Sequence, residues 1–99
     1  MLQFTHSGRG RPMKVVGRER LNTFCEKHAD ARQWIENWLS EAEAAAWLTS
    51  SDVKRRYASA SFLDGNTVIF NVKGNEYRLE TTIAYRASVV FIAWVGTHA

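Results

Sequence analysis

The chain has 99 residues, 45% of them hydrophobic, which suits one compact core and argues against several domains. Its net charge of +3 supports nucleic-acid binding only weakly, because Arg9 and Arg11 precede Met13, after which 11 basic residues face 10 acidic ones. The single cysteine, Cys25, excludes an internal disulfide, and no apolar run approaches the ~20 residues that cross a bilayer, so we expect a cytoplasmic protein with no membrane segment.

The first twelve residues differ in composition from the rest of the chain. Residues 1–12 contain two of the six glycines and the only proline, and they have no hydrophobic period, which predicts a flexible extension. Met13–Val16 is a short strand-like run, and we expect Met13 to be the natural start. The folded domain is therefore expected to cover residues 13–99.

Two helical segments follow this strand. Their apolar residues recur at the spacing of one helix face, with Leu21, Phe24, Cys25 and His28 in the first helix and Ala31, Trp34, Ile35, Trp38, Leu39 and Ala42 in the second. Asp30 and Gln33 have the spacing of a capping box at the start of the second helix. We expect a helical hairpin. Between Glu19 and Leu48 six acidic residues face three basic ones, so phosphate ligands are expected to bind elsewhere.

A third, shorter helix is predicted after Thr49, which can cap it together with Asp52. It carries the densest basic run in the chain, and the candidate contacts to a nucleic acid are Lys54, Arg55, Arg56 and Tyr57. The cations would bind phosphates and the tyrosine would stack on a base. The alternative is a solvated helix end whose cations face the C-terminal dipole.

From Ser59 onward the hydrophobic period becomes two, which predicts strands. Gly74–Asn75 is predicted to be a two-residue hairpin loop of the type that needs positive backbone angles, which pairs Lys73 with Glu76 and Asn71 with Arg78. This register gathers the apolar residues on one face, expected to carry the helices: Val68, Phe70, Val72, Tyr77, Leu79, Thr81 and Ile83. The opposite face is polar and is the candidate working surface, with Asn71, Lys73, Arg78 and Glu80.

The last strand, Val89–Val95, is apolar on both faces, which favours a central position in the sheet. If Tyr85–Ser88 is a four-residue loop, Ala84 pairs with Val89, Thr82 with Phe91 and Glu80 with Ala93. In that register Ala93 lies on the polar face close to Arg78.

Several segments resemble HigB-type toxins, which are small RelE-like proteins of bacterial type II toxin-antitoxin systems. The segments are VIFNVKGNEYRL at residues 68–79, VGTHA at 95–99, KHADA at 27–31, Trp38–Leu39 and YASASFL at 57–63, so the likeness runs from Met13 to the end. It implies a RelE-like α+β fold, with the N-terminal strand and the helical hairpin packed on one face of a small, mainly antiparallel sheet. It also implies ribosome-dependent cleavage of messenger RNA and neutralisation by a HigA-like helix-turn-helix antitoxin.

The chain departs from the family pattern in two places. Family members usually continue after the threonine-histidine pair with a glutamate-tyrosine-aspartate segment, whereas this sequence ends at Ala99. The pattern also has an arginine in the last strand where this chain has Ala93. Both departures predict a weakened site.

Cleavage of RNA without a metal needs a base for the 2′-hydroxyl, an acid for the leaving oxygen and cations around the phosphorane. Arg78 is the first candidate for the cation, because a guanidinium can hold a phosphate through two hydrogen bonds, and Lys73 and Asn71 would add donors. The alternative for Arg78 is an ion pair with Glu80 or Glu76. His98 is a candidate acid or base, or else part of a frayed chain end.

The remaining histidines and Cys25 are given no catalytic role. His28 lies on an apolar stripe, His6 lies in the extension, and Cys25 is expected to be a buried apolar thiol. No metal-ligand spacing appears, so no metal and no cofactor is expected. The tryptophans Trp34, Trp38 and Trp47 are expected to fill the core or to receive the antitoxin.

Two classes of function follow. In the first, the chain is an endoribonuclease that acts on messenger RNA in the ribosomal decoding site. In the second, it is an inactive protein of the same fold that binds its antitoxin and modulates operator DNA binding. Poisoning of a topoisomerase, as in the related ParE toxins, ranks last because those toxins share the fold but not the hairpin sequence. A neighbouring gene for a helix-turn-helix protein would support a toxin-antitoxin pair.

Overall fold

The computed structural model describes residues 12–97, which form three α-helices and five strands. The strands are β1 (Lys14–Val16), β2 (Ser61–Leu63), β3 (Thr67–Val72), β4 (Tyr77–Ala84) and β5 (Val89–Thr97). The helices are α1 (Arg18–Lys27), α2 (Arg32–Ala44) and α3 (Ser50–Arg56). Short 3₁₀ segments at Ala29–Ala31 and Asp64–Asn66 precede α2 and β3.

The strands form one sheet in the order β1-β5-β4-β3-β2. Strand β1 runs parallel to β5, and the other neighbours are antiparallel. The parallel pair is possible because the helices between β1 and the rest of the sheet supply the long crossover that parallel strands need. The predicted α+β fold with a mainly antiparallel sheet is confirmed.

The helices cover one face of the sheet, which is the face predicted from the alternation of apolar residues. The inner residues of β3 and β4 are buried and share one core with residues of all three helices. The largest of the fully buried side chains is that of Trp38, whose ring packs on Phe70 at a centroid distance of 5.4 Å. Thr81 fits this apolar face because its hydroxyl donates a hydrogen bond to the carbonyl of Val68 at 2.9 Å.

Two predicted helix caps have different outcomes. Thr49 and Asp52 form the predicted capping box at the start of α3. The capping box of Asp30 with Gln33 is wrong, since a 3₁₀ turn leads into α2 without a side-chain cap. The Asp30 carboxylate instead accepts hydrogen bonds from the Tyr77 hydroxyl and the Lys73 ammonium. The Asp30 carboxylate thus makes tertiary hydrogen bonds and does not form the helix cap that its spacing from Gln33 predicted.

The hairpin of β3 and β4 has the predicted register, with Asn71 opposite Arg78 and Phe70 opposite Leu79. Its turn differs in detail, because the left-handed residues are Lys73 and Gly74 rather than Gly74 and Asn75. Lys73 and Glu76 lie in this turn and not in the strands, but they face each other as predicted, since the Glu76 amide donates to the Lys73 carbonyl at 3.4 Å.

Strand β5 lies between β1 and β4, so its predicted central position is confirmed. Thr82 pairs with Phe91 and Ala84 with Val89, as expected. The pairing of Glu80 with Ala93 is wrong, since a β-bulge between Glu80 and Thr81 places Trp94 opposite Glu80. An extra residue in one strand shifts every later pair, and hydrophobic alternation does not signal it.

Some sequence predictions concern residues outside the described range. These are the flexible extension at residues 1–12, apart from Pro12 itself, and the proposed role of His98. Met13, at the start of the predicted domain, is buried and its amide donates to the carbonyl of Ala45 at 3.1 Å. None of the helices in residues 12–97 combines the length and the apolar character needed to span a membrane.

Candidate active site on the open sheet face

The sheet face turned away from the helices, here called the open face, carries the polar residues of β3 and β4 and the outward residues of β5. Its polar and exposed aromatic members include Asn71, Arg78, Glu80, Thr82, Phe91 and Trp94. These six are at least partly exposed, whereas Ile69, which pairs with Glu80 on the same face, is buried. The face is therefore accessible to a ligand.

Arg78 lies at the centre of the open face. Its backbone pairs with Asn71 on β3 and with Gly96 on β5. Its guanidinium Nη2 lies 3.5 Å from a carboxylate oxygen of Glu80, and the two side chains are 36% and 33% exposed. The ion pair named as an alternative from the sequence is thus present. A partly exposed pair of this length stabilises the fold by at most about 1 kcal/mol, so a phosphate can compete with Glu80 for the guanidinium.

Asn71 faces the same side of the hairpin but is engaged elsewhere. Its amide Nδ2 donates to the carbonyl of Ser59 at 3.1 Å, which ties β3 to the segment that follows α3. Asn71 also borders a cleft of about 470 Å³ between α2 and this segment, where Trp34 and Tyr57 contribute aromatic walls. The amide is adjacent to Arg78 in register and is not hydrogen-bonded to it.

Lys73 is separated from the open face. Its ammonium lies 3.2 Å from Asp30, which also accepts a hydrogen bond from the hydroxyl of Tyr77 at 2.8 Å. Tyr77 belongs to the helix-covered face, so the prediction that Lys73 shares a face with Arg78 is wrong. The bonds from Tyr77 and then from Lys73 hold the pKa of Asp30 below its usual value, and the bond to Asp30 raises the pKa of Tyr77.

The basic run at the end of α3 makes contacts within the chain. Lys54 donates to the carbonyl of Ala60 at 3.2 Å and lies over the ring of Phe62, and Arg55 pairs with Asp52. The side chains of Lys54, Arg55 and Arg56 are exposed, so these three residues stay candidate RNA contacts.

Arg56 and Tyr57 both bind the carboxylate of Glu41 on α2. The bond from Tyr57 lowers the pKa of Glu41, while burial and then this same bond raise the pKa of Tyr57. The ring of Tyr57 packs edge-on against Phe70 at 5.1 Å. Tyr57 is therefore half-buried and held by its neighbours, with less free ring surface than the sequence prediction assumed.

Trp94 was not among the residues that the sequence predicted for the site. It is 45% exposed on the open face, opposite Glu80. Phe91, on the same face, is 43% exposed. The apolar composition of β5 predicted a central strand but did not indicate which of its aromatic residues are exposed to solvent.

The other chemically reactive groups lie apart from the open face. Cys25 is buried, and burial raises the pKa of its thiol. His28 stacks on Phe24 at 4.6 Å, in agreement with a structural role. Within the part of the chain that the structure describes, no three His, Cys, Asp or Glu side chains converge as metal ligands would.

Comparison with protein families identifies the family of this chain. Residues 31–99, more than half of the chain, match the model of the RelE-like toxic component of a toxin-antitoxin system. The chain therefore has the sheet and helices of a RelE-like toxin. It belongs to the HigB toxin family. No curated protein matches the chain well enough to count as a relative.

Proposed function

We propose that this chain is a toxin that cleaves messenger RNA on the ribosome, with Arg78 as its central phosphate-binding group. Family membership supports a toxin, and a toxin implies an antitoxin partner. The observation that carries the proposal is the position of Arg78, about one third exposed on the sheet face that the helices leave uncovered. RNA can reach this guanidinium without displacing any part of the core.

The chemistry follows from the needs of phosphodiester cleavage. The 2′-hydroxyl oxygen attacks the adjacent phosphorus and loses its proton to a base, while the bond from phosphorus to the 5′-oxygen breaks and that oxygen gains a proton. The Arg78 guanidinium would stabilise the charge that builds up on the phosphorane. Glu80, the carboxylate beside Arg78, would accept the proton of the 2′-hydroxyl. His98 would supply the proton to the leaving 5′-oxygen.

The partners follow from the same proposal. A HigA-like helix-turn-helix antitoxin would neutralise the chain and connect it indirectly to operator DNA, and the ribosome would position the messenger RNA in the cytoplasm. The basic run Lys54–Arg56 would contact the RNA backbone with Tyr57 beside it. Lys73 and Asn71 would assist Arg78 only after releasing Asp30 and the Ser59 carbonyl.

A second candidate function is antitoxin binding without catalysis. Two observations favour it. Ala93 stands where the family pattern has an arginine, and Lys73 is turned toward Asp30 and away from Arg78. In this case the chain would still bind its antitoxin and modulate operator binding.

The test uses purified chain, translating ribosomes and a defined messenger RNA, with cleavage mapped by primer extension. We expect cleavage by the parent chain and a loss on the order of a hundredfold for Arg78→Ala, because the lost interaction is made mainly in the transition state. Arg86→Ala is the matched control, since Arg86 is an exposed arginine in the β4–β5 turn. If the parent binds antitoxin but leaves RNA intact, the second function holds. If Arg78→Ala cleaves like the parent, Arg78 is a surface charge.

A further inference from the structure

Trp94 differs from the other tryptophans of the chain in its surroundings. Trp38 and Trp47 are buried and Trp34 packs against the core, whereas 45% of Trp94 is exposed to solvent. An indole buries a large apolar area when it finds a partner, so this exposed ring can form a stacking surface for a ligand with a flat ring.

The indole of Trp94 is held in place by Gly96. A Cβ atom at position 96 would lie 2.6 Å from Cζ2 and 2.7 Å from Cη2 of the Trp94 ring, so the ring rests directly on the glycine backbone. Gly96 has no left-handed backbone angle, and it is the close approach of the ring that requires glycine here. The indole therefore already lies along the open face, against the backbone of β5, before any ligand arrives, which favours binding of a flat ring.

Register places this fixed ring next to Arg78. Gly96, beneath the indole, pairs directly with Arg78 on β4, and paired strands lie about 5 Å apart. The residue opposite Trp94 itself is Glu80, whose carboxylate repels a phosphate at that point. A phosphate therefore belongs on the Arg78 side and an uncharged group on the Trp94 side.

A nucleotide has this arrangement, because one ribose joins its flat base to its phosphate. We propose that Trp94 is a stacking platform for one nucleobase of a single-stranded RNA whose adjacent phosphate lies on Arg78. This inference rests on the proposed function. Single-stranded RNA is commonly bound in this way, by exposed aromatic rings on an open sheet face next to cations. A groove of about 310 Å³ beside Trp94 is lined on α1 by Glu19, Arg20 and Thr23, so its cation is accompanied by a carboxylate and the phosphate contact is assigned to Arg78.

The experiment measures binding of a fluorescently labelled, single-stranded RNA of about ten nucleotides by anisotropy at low salt. We expect Trp94→Ala to weaken binding about tenfold, and Trp94→Phe to retain most of it, since stacking needs only a flat ring. Gly96→Ala should weaken binding to a similar extent because its methyl group displaces the indole without removing it. Phe91→Ala is the matched control, as an equally exposed aromatic residue two pairs farther from Arg78, and should bind like the parent.

The outcomes separate this inference from the proposed function. If Arg78 is needed for cleavage while Trp94→Ala and Gly96→Ala bind RNA like the parent, the platform is wrong and the nuclease stands. If no protein cleaves but binding depends on Trp94 and Gly96, the nuclease is wrong and the platform stands. Equal losses for Phe91→Ala and Trp94→Ala would overturn the specific role of Trp94, as would failure of the parent to bind. Circular dichroism and thermal unfolding verify that each variant is folded.

Discussion

Glu41 is a single side chain that joins two elements. It accepts hydrogen bonds from Tyr57 and Arg56 and so ties the end of α3 to α2. No spacing rule connects residues 41 and 57, so the contact was beyond sequence prediction. The same holds for Asp30 and Tyr77, which are 47 positions apart in the chain. Long-range polar contacts of this kind depend on the packed fold.

We expect Glu41→Gln to destabilise the chain at neutral pH by at most about 1 kcal/mol, because the carboxylate is partly exposed and its ion pair is screened. The pKa of Glu41 is lowered in the folded state, so the contribution of the carboxylate is present above the ordinary glutamate pKa and is lost as the pH falls through the lowered value. The difference in unfolding free energy between parent and variant should therefore shrink below about pH 4.

Urea unfolding between about pH 3 and pH 7 measures this difference. Glu43→Gln is the matched control, since Glu43 is equally exposed and pairs with Arg18 at 2.8 Å. It removes a surface ion pair with an arginine but leaves the bond from Tyr57 to Glu41 in place, so the comparison isolates that bond. A Glu41→Gln difference that stays constant down to pH 3 would show that the link to Tyr57 contributes nothing through the carboxylate charge.

At the scale of elements, the sheet was predicted from the alternation of apolar and polar residues and from the turn residues between strands. The period of two placed every inner residue of β3 and β4 correctly, because one face must be buried and a slip of one residue would expose the whole set. The bulge in β5 was missed. It lies in a strand that is apolar on both faces, so the pattern there contained no information on which side each residue takes. The site prediction was correct for the register of Arg78 and Asn71 and incomplete at Trp94 for this reason.

The bulge changes what an arginine at position 93 would do. Ala93 is exposed, and Trp94 occupies the place opposite Glu80 that Ala93 was predicted to hold. We expect Ala93→Arg to increase cleavage, by a few-fold only, because the new guanidinium must extend past Trp94 to reach a phosphate bound at Arg78. Cleavage of messenger RNA on ribosomes is the measurement. Ala93→Gln is the control, with a polar side chain and no charge, and an equal increase in this variant would rule out an electrostatic effect.

At the scale of the whole molecule, charge is divided between the two halves. Between Glu19 and Leu48 six acidic residues face three basic ones, whereas from Thr49 to Thr97 six basic residues face four acidic ones. The first range contains α2 and all of α1 after Arg18, and the second contains α3 and strands β2 to β5. We therefore expect phosphate-bearing ligands to favour the sheet and α3 over the two long helices.

This division predicts a shallow salt dependence of RNA binding. If Arg78 and one or two further cations each neutralise a phosphate, the slope of log K against log salt should lie between about −1.4 and −2.1, given about −0.7 per phosphate neutralised on a single strand. Arg78→Ala removes one such contact and should reduce the magnitude of the slope by about 0.7. Trp94→Ala should lower the affinity without changing the slope, because stacking on an uncharged ring releases no counterions.

Anisotropy titrations between about 50 and 200 mM salt measure these slopes. Parent and variants are compared at the same RNA length, so the number of available phosphates is constant. A parental slope steeper than about −3 would mean that more cations than those of the open face bind the RNA, and the exposed run Lys54–Arg56 is the group of three that could supply them. A change of slope in Trp94→Ala would mean that Trp94 positions a phosphate contact, and its role would then be to orient Arg78.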